Sequence, residues 1–261
     1  MYDSVTVVIT TFNSSNYIEK TLNSIFDQSI KVRKIIIIDD NSSDFGNLET
    51  ITYNFNKKKE IKIDLISNEE NLGPGYSRNI GWSKCQTKYV AFLDDDDYWH
   101  KDKIKIQLDI FNSLKNIDLV ACKKKLKGQK IDLKKNKKNA SLTKITFAKL
   151  LFKNYIATSS VILRVDIKER FLNSYYAEDY YLWLKILKQN KKCYFLNSYL
   201  CGELNIIKDI KLSKNLKEMS KNIHKVYNFF FTKNLLNNML IILAKIFCYI
   251  KMSIKSIITN L

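Results

Sequence analysis

The sequence predicts an α/β fold with a mostly parallel β-sheet flanked by helices. Short runs of β-branched residues recur through the first hundred positions, and between them apolar residues return every three or four positions. Runs of the first kind form buried strands, and stretches of the second kind form helices. Strands that alternate with helices build βαβ units, whose strands lie parallel. Several predicted strands also end in polar or acidic residues, at the edge where such sheets bind ligands.

The first half of the chain gives the clearest alternation. Strands are predicted at 4–10, 33–40, 61–67 and 88–94, and helices at 13–29, 44–55 and 73–85. The first helix has apolar residues at helical spacing, namely Ile18, Leu22, Ile25 and Phe26. The third helix begins at Pro74, the only proline of the chain and a favoured residue in a first helical turn. These elements predict four parallel strands joined by three helices.

The second half alternates less regularly. A strand at 118–128 is predicted to run into an exposed basic segment at 123–138, which holds nine lysines. The remaining predictions are a strand at 155–167, a helix at 177–189, a strand at 192–204, and helices from about residue 211 onward. No internal repeat is visible, so the two halves are not copies of one unit.

Charge is distributed unevenly along the 261 residues. The formal net charge is +18, with a net of −3 over residues 1–110 and a net of +21 over residues 111–261. Such an asymmetry indicates an anionic partner. Nucleic acid, an anionic membrane surface and a phosphorylated substrate all satisfy this condition.

Cysteine and histidine usage narrows the class of protein. The five cysteines are odd in number and scattered, without a C-x-x-C pair, which favours a reduced cytoplasmic setting. Only two histidines are present, which argues against a zinc site. The amino-terminal apolar run lacks a preceding basic region and is interpreted as a strand, not as a signal peptide. No uncharged apolar run reaches the roughly 20 residues that span a bilayer.

Two acidic clusters lie at the carboxyl ends of predicted strands. Asp39 and Asp40 end the second strand, and four consecutive aspartates, 94–97, end the fourth. Like charges at such spacing raise one another's pKa and cost stability, unless a cation compensates them. A solvated acidic loop is the alternative interpretation. Because the carboxyl ends of parallel strands meet in one crevice, we expect both clusters to line a ligand site.

Five short motifs carry a family resemblance. "VTVVITTFN", "IIIIDDNSSD", "NLGPGYSRNIG", "FLDDDDYW" and "AEDYYLWLK" occur in this order within residues 4–205. Together they resemble family 2 glycosyltransferases, which have the GT-A nucleotide-sugar fold. The sequence departs from the family pattern at four positions, where Thr10, Phe12, Asn41 and Asp95 replace Pro, Tyr, Gly and a small polar residue.

The resemblance implies a domain organisation. Residues 1–210 are expected to form the GT-A catalytic domain, with a nucleotide-binding half at 1–115 and an acceptor-side half at 116–210. Residues 211–261 are expected to form a basic, amphipathic helical tail.

The resemblance also assigns the second acidic cluster to a metal and ribose site. Mn²⁺ or Mg²⁺ would neutralise the diphosphate of a nucleotide sugar, and hard cations take oxygen ligands. Asp96 is expected to bind the metal, and Asp94 or Asp95 to reach the ribose or the metal. Asp97 is expected on the acceptor side or in a structural role.

Four more residues are expected to contact the donor nucleotide. Asp40 is expected to accept a hydrogen bond from the uracil N3–H, with a turn or helix-cap role as the alternative. Thr11 and Phe12 are expected to flank the base, or simply to pack in a turn. Arg78 is expected to contact the base or the diphosphate, or else to cap a neighbouring loop.

Asp179 is the candidate general base. An inverting transfer needs one carboxylate near the acceptor hydroxyl, and the dipole of the helix that begins at "AED" favours a charged carboxylate there. Glu178 and Trp183 are expected on the acceptor side, Trp183 as an apolar wall under a sugar ring. The alternatives are ordinary first-turn acids for the pair 178–179 and a core position for Trp183.

Residues 236–261 predict an amphipathic helix. Its apolar face contains Leu240, Leu243, Phe247, Ile250, Ile254, Ile257 and Leu261, and its polar side contains Asn237, Lys245, Lys251, Lys255 and Thr259. The helix could pack on the catalytic domain. The cationic second half favours binding to an anionic membrane surface.

The expected function is an inverting hexosyltransferase. It would move glucose or galactose from a UDP-sugar to a saccharide linked to a lipid diphosphate of the polyprenyl type, in O-antigen or lipopolysaccharide assembly. It would act from the cytoplasm, at the inner face of the bacterial inner membrane.

Two rival functions fit the sequence less well. A sugar-phosphate nucleotidyltransferase would need a Gly- and Arg-rich loop after the first strand, which "TTFNSSN" lacks. A basic nucleic-acid- or membrane-binding protein without catalysis would leave the acidic strand ends unexplained, and arginine is scarce. No nucleic-acid partner is therefore expected.

Overall fold

The computed structural model describes residues 4–58, 60–126, 141–206 and 216–259. The first part contains β1 (Val5–Thr11), α1 (Ile18–Phe26), β2 (Lys34–Asp39), α2 (Phe45–Lys57), β3 (Lys62–Ser67), α3 (Pro74–Ser83) and β4 (Tyr89–Asp94). Then come β5 (Asp97–Trp99), α4 (Lys103–Ser113), β6 (Leu119–Lys125), β7 (Leu142–Lys144), α5 (Phe147–Phe152), β8 (Ile162–Arg164), α6 (Glu178–Lys188), β9 (Cys193–Glu203), α7 (Leu216–Asn228) and α8 (Leu235–Thr259).

These strands form one sheet, in the order β3-β2-β1-β4-β8-β6-β9-β5, with β7 beside β9. The first four are parallel to one another, as the βαβ pattern predicts. β8 enters antiparallel between β4 and β6, and β6 is parallel to β9. In this register Thr11 lies opposite Asp39, and Thr10 lies opposite Asp94. The carboxyl ends of β1, β2 and β4 therefore meet at one edge of the sheet.

Apolar side chains fill a core on each face of the sheet. Val7 and Ile9 belong to one core and Val8 belongs to the other, because successive side chains of a strand point to opposite faces. The second core also takes in the last two helices, since Ile241 and Ala244 of α8 are buried in it. The tail is thus packed on the domain along one side.

Two predicted segments of the second half differ from the structure. The strand expected at 155–167 is a 3₁₀ turn at Thr158–Ser160 followed by the short β8. Two buried side chains account for the turn, because Trp99 Nε1 donates to the carbonyl of Ser159 (2.8 Å) and Gln107 Nε2 donates to that of Ser160 (2.9 Å).

The basic segment expected at 123–138 is also different where it is described. Residues 123–125 form the end of β6 and are half-buried, because this stretch pairs with β9. The expectation of an exposed loop is therefore wrong for these three residues. Residues 127–140 lie outside the described residues.

The last helix turns part of its predicted apolar face away from the domain, although Leu240 of that face packs against the second core. Leu243, Phe247 and Ile250 are exposed, whereas Asn237 and Lys245 are partly buried on the domain side. Within the described residues, no helix combines the length and the apolar character needed to cross a membrane.

Candidate active site

The loops after β1 and β2 are joined by hydrogen bonds at the carboxyl edge of the sheet. Asn13 N–H donates to Ser42 Oγ (2.9 Å), and Ser43 N–H donates back to Asn13 Oδ1 (2.9 Å). Asn13 and Asn41 have positive φ angles of 51° and 64°, which asparagine tolerates better than most residues. Asparagine at these positions lets both strands end abruptly, so that the following polar groups line one crevice.

Asp40 is a buried acceptor of four hydrogen bonds. Its Oδ1 accepts from Asn68 Nδ2 (2.7 Å), Ser77 Oγ (3.0 Å) and the Leu72 N–H (3.0 Å), and its Oδ2 accepts from the Gly73 N–H (2.8 Å). The carboxylate therefore ties the end of β2 to the loop before α3. Oδ2 accepts one of these hydrogen bonds, and a carboxylate oxygen can accept two, so Oδ2 has the capacity to accept one from a base. The uracil contact expected of Asp40 stays a prediction.

The first part of the acidic cluster faces the end of β1. Phe12 N–H points to Asp95 Oδ2 at 3.4 Å, and the Thr21 hydroxyl contacts the carbonyl oxygens of Asp95 and Asp97 at 2.8 Å each. Asp95 is buried, whereas Asp96 is half-buried. This part of the crevice is therefore built jointly by β1, α1 and the acidic loop.

The two β1 residues themselves differ in exposure. Thr11 is buried, and its hydroxyl bonds to that of Ser14. The Phe12 ring is 47% exposed, so it is available to a ligand at the crevice. Flanking of the base by this pair remains a prediction.

The contacts of Asp97 favour a structural role over the acceptor-side role that is the other expectation for it. Its side chain is fully buried, and its Oδ2 accepts from Lys124 Nζ (2.7 Å) and from the Ser159 hydroxyl. Burial raises the pKa of Asp97 to about 7, against the opposing effect of the Lys124 ammonium group, and Asp94 and Asp96 raise it further. Asp97 thus anchors the acidic loop from beneath.

Arg78 joins the two acidic motifs. Its Nη2 donates to Asp94 Oδ1 (2.8 Å), its Nη1 donates to Glu178 Oε1 (2.7 Å), and its guanidinium lies 5.4 Å from the centre of the Phe171 ring. Burial by itself would lower the pKa of Arg78, but Asp94 and Glu178 outweigh burial and raise it. The guanidinium therefore stays charged and fixes the start of α6 against the end of β4.

The start of α6 presents two carboxylates with raised pKa values. Burial raises the pKa of Glu178 to about 7, opposed by Arg78 and assisted by Asp179. Burial also raises the pKa of Asp179, with Arg78 lowering it and Asp94 raising it. Asp179 Oδ1 accepts from the Tyr180 N–H (2.6 Å), as expected for an acid in a first helical turn. A carboxylate with a raised pKa suits a general base.

One acceptor-side expectation is wrong in this structure. Trp183 is 1% exposed and lies in the second core, with its ring centre 5.8 Å from that of Phe171. It faces inward because it lies on the side of α6 that packs on the sheet. It therefore forms no wall of the crevice, whereas Glu178 lies at the crevice through its ion pair with Arg78.

The carboxylates suit a hard cation that a substrate would help to bind. The described residues contain no cluster of three or more His, Cys, Asp or Glu side chains that could hold a metal ion by themselves. Mg²⁺, however, is commonly bound through one or two carboxylates together with substrate phosphates. Asp94 and Asp96 offer such a pair of oxygen ligands at the end of β4, so these residues fit Mg²⁺ or Mn²⁺.

Two residues at the site were not predicted from the sequence. The Ser159 hydroxyl accepts from the Asp94 N–H (3.1 Å) and donates to Asp97, and Lys124 lies within 3.7 Å of Glu203 as well as beside Asp97. The sequence pattern predicts a strand at Ser159 and an exposed basic segment at Lys124. The only sequence signal for them is that a buried acidic cluster requires nearby donors and a cation.

The comparison with protein families gives one match. The model of "Glycosyl transferase family 2" matches residues 6–171. The matched segment begins in β1 and ends in the loop before α6, so it includes the acidic loop and Arg78.

Curated relatives and solved structures give matches of the same kind. The Escherichia coli proteins WfgD and WfaP are both named "UDP-Glc:alpha-D-GlcNAc-diphosphoundecaprenol beta-1,3-glucosyltransferase". WfgD is 25% identical over 83% of this chain and 83% of its own length, and WfaP is 31% identical over 72% of each. The mannosyltransferase PcManGT of Pyrobaculum calidifontis, solved with GDP-Man and Mn²⁺, matches with a TM-score of 0.70 and 16% identity over 94% of this chain and 69% of its own. Some matched proteins are longer, since the chain covers 42% of S. aureus TarS.

Proposed function

The chain belongs to glycosyl transferase family 2, and on this premise we propose that it moves a hexose from a UDP-sugar to a lipid-linked acceptor. The acceptor would be a hydroxyl of a saccharide on a polyprenyl-type lipid diphosphate, and the transfer would invert the anomeric centre. Glucose or galactose is the favoured hexose, and O-antigen or another bacterial surface polysaccharide is the favoured product.

The observation that carries this proposal is the double ion pair of Arg78. It holds Asp94, at the end of β4, and Glu178, at the start of α6, against one guanidinium. Asp179 follows Glu178 directly, and its pKa is raised by burial and by Asp94, which supports a candidate base close to the candidate metal ligands. A transferase needs this proximity, because the base must take the proton of the acceptor hydroxyl while that oxygen attacks the anomeric carbon and the diphosphate leaves from the opposite side.

On the donor side, a divalent cation would supply charge neutralisation for the diphosphate. Asp94 and Asp96 would hold this cation, and Asp95 or Asp94 would reach the ribose. Phe12 and Asp40 would receive the base. PcManGT was solved with Mn²⁺, which supports the choice of metal by likeness of fold.

On the acceptor side, Asp179 would accept the proton of the attacking hydroxyl. A single carboxylate on the far side of the sugar permits one displacement, and one displacement inverts the anomeric centre. The names of WfgD and WfaP support both a UDP-sugar donor and an acceptor linked to a polyprenol diphosphate.

Such an acceptor is membrane-borne, so the enzyme would work at a membrane surface. The proposed location is the cytoplasmic face of the bacterial inner membrane, with peripheral attachment. The exposed apolar face of α8 and the net charge of +21 over residues 111–261 support this attachment.

The substitution Asp179→Asn tests the role of the base. We expect kcat to fall at least about 10²-fold, since a general base contributes about 10²–10⁴-fold to rate, while UDP affinity changes little. Donor turnover and UDP binding by calorimetry measure the two quantities, and NMR of the product gives its anomeric configuration. Asp166→Asn is the matched control, because Asp166 is exposed beside β8 and far from the crevice. Near-normal turnover in Asp179→Asn, or a retained configuration, would exclude Asp179 as the base.

Metal removal tests the acidic loop. We expect excess EDTA to abolish transfer and added Mn²⁺ or Mg²⁺ to restore it, because the diphosphate charge is then compensated again. Asp96→Ala is expected to abolish transfer and weaken metal-dependent UDP binding while leaving the melting temperature nearly unchanged. Asp109→Ala, an exposed change on α4, is the control. Full activity in EDTA would contradict the metal assignment.

A further inference from the structure

The outward face of α8 is continuously apolar over residues 235–250. Between residues 235 and 250 this face exposes large apolar side chains, namely Leu235, Leu236, Met239, Ile242, Leu243, Ile246, Phe247 and Ile250. The opposite face is the one that packs on the domain, through Ile241 and Ala244. The helix contains three lysines and no acidic residue. A helix of this composition suits the interface of an anionic bilayer.

The direction of α8 is set by its contacts with the domain. Near its start, Asn237 Oδ1 accepts from Lys188 Nζ (3.1 Å), at the end of α6. Further along, Phe247 packs on Phe152, with ring centres 6.1 Å apart. The next residue, Cys248, lies beside Tyr227, whose hydroxyl is 3.5 Å from that of Tyr180. α8 therefore runs antiparallel to α6, from its end towards its start.

The carboxyl half of α8 consequently extends past the crevice. Tyr180 follows Asp179 directly, so Cys248 lies near the level of the candidate base. The helix continues from there to Thr259, a length of about 16 Å at 1.5 Å per residue. The segment between α5 and β8 connects α8 with the candidate base. Phe152 contacts α8, and the Thr158 hydroxyl lies 3.5 Å from Asp179 Oδ2.

We propose that α8 lies in the interface of an anionic bilayer and orients the domain so that the crevice opens onto the membrane surface. The apolar outward face would enter the acyl boundary. Lys245, which bonds to Asn228 and lies over the Phe231 ring, and Lys251 would sit at the level of the headgroups. The segment at 153–158 would then lie next to the lipid surface, between the bilayer and Asp179. This inference rests on the proposed function in one respect, the membrane-borne acceptor.

Tryptophan scanning with quencher lipids tests this orientation without any activity measurement. The three native tryptophans are almost fully buried, so their emission is constant and the emission of an added tryptophan is measured against it. The single variants Ile246→Trp, Lys153→Trp and Lys62→Trp report on the outward face, the crevice rim and the opposite edge of the sheet. The probes are vesicles of phosphatidylglycerol and phosphatidylethanolamine, either with brominated acyl chains or with nitroxide headgroups.

The expected pattern is specific for each site. Ile246→Trp should lose most of its added emission with brominated chains, and Lys153→Trp should lose it with nitroxide headgroups. Lys62→Trp should be unaffected by both, because it lies at the amino ends of the strands. Quenching of Ile246→Trp with equal, weak quenching at the other two sites would overturn the orientation.

A second copy of the chain is the competing occupant of this face. If no variant is quenched, and the protein sediments as a dimer that Ile246→Glu dissociates, the face is a dimer interface and the proposal is wrong. Loss of transferase activity is not an outcome of this experiment. Its failure is therefore distinguishable from failure of the proposed function, which the Asp179→Asn enzyme tests.

Discussion

At the scale of single residues, Arg78 has the largest influence on the site. It is a buried cation between two carboxylates, and removing one partner of a buried ion pair typically costs about 3–5 kcal/mol, because the remaining charges lose their compensation. The same guanidinium lowers the pKa of Glu178 and of Asp179. Arg78 is therefore both a structural bridge and an electrostatic control on the candidate base.

The substitution Arg78→Gln is expected to move the pH dependence of transfer. Without the guanidinium, the pKa of Asp179 rises, so the base is protonated up to a higher pH. The acidic limb of the kcat profile should then shift towards alkaline pH, with lower activity at neutral pH and partial recovery above it. Profiles of kcat against pH, with the melting temperature of each variant, measure this shift.

Arg33→Gln is the matched control, since Arg33 is exposed at the opposite edge of the sheet. An acidic limb at the same pH in Arg78→Gln, combined with a much higher KM for the donor, would contradict the electrostatic role and indicate donor contact alone.

The sequence identifies which residues gather at the site better than it identifies their partners. Arg78, Asp94 and Asp179 were expected there, because they belong to motifs that end strands or begin helices. Their mutual contacts were not predictable, since Arg78 and Glu178 are 100 positions apart. Asp97 could not be separated from its acidic neighbours, because the cation that neutralises it, Lys124, belongs to a distant strand.

At the scale of elements, the packing of α3 on the sheet depends on Gly81. A Cβ atom at this position would lie 2.4 Å from Val8 Cγ1 and 3.3 Å from Ile38 Cγ1. The absence of a side chain lets α3 approach β1 and β2 closely. Since α3 carries Arg78, this close approach also sets the position of the guanidinium.

A pair of glycine substitutions tests this dependence. Gly81→Ala is expected to lower the free energy of unfolding by about 1–3 kcal/mol, because a methyl group is forced into a filled core. Gly46→Ala, in the first turn of α2, meets nothing within 4 Å and is expected to raise it by about 0.5–1 kcal/mol. Urea unfolding of both variants measures the difference. Equal changes in the free energy of unfolding of the two variants would show that α3 can shift to accommodate the added methyl group.

Local patterns predicted most elements, and two of the features that they missed share a common reason. The run at 155–167 is rich in β-branched residues and favours a strand, yet its middle forms a 3₁₀ turn that receives donors from Trp99 and Gln107. β5 is only three residues long and exists through its pairing with β9. Both features depend on side chains or strands far away in the sequence, which periodicity does not report.

At the scale of the whole molecule, the alternation of strands and helices predicted the parallel half of the sheet. It did not predict the order β8-β6-β9, in which an antiparallel strand separates β4 from β6. Strand order beyond the βαβ units depends on which edges of the sheet are still unpaired when the later strands join it. A single sequence does not contain this information. The amphipathic pattern of the tail identified part of its exposed apolar face, namely Leu243, Phe247 and Ile250, although not the direction in which that face points.

The pairing of β5 with β9 has a consequence for the order of assembly during synthesis. The strands up to β4 can pair with one another once residue 94 has left the ribosome. Asp97, however, pairs with Glu203, and Lys124 is held by the same edge of the sheet. The acidic loop therefore acquires its final position only after residue 203 has left the ribosome, later than the four parallel strands from whose edge it extends.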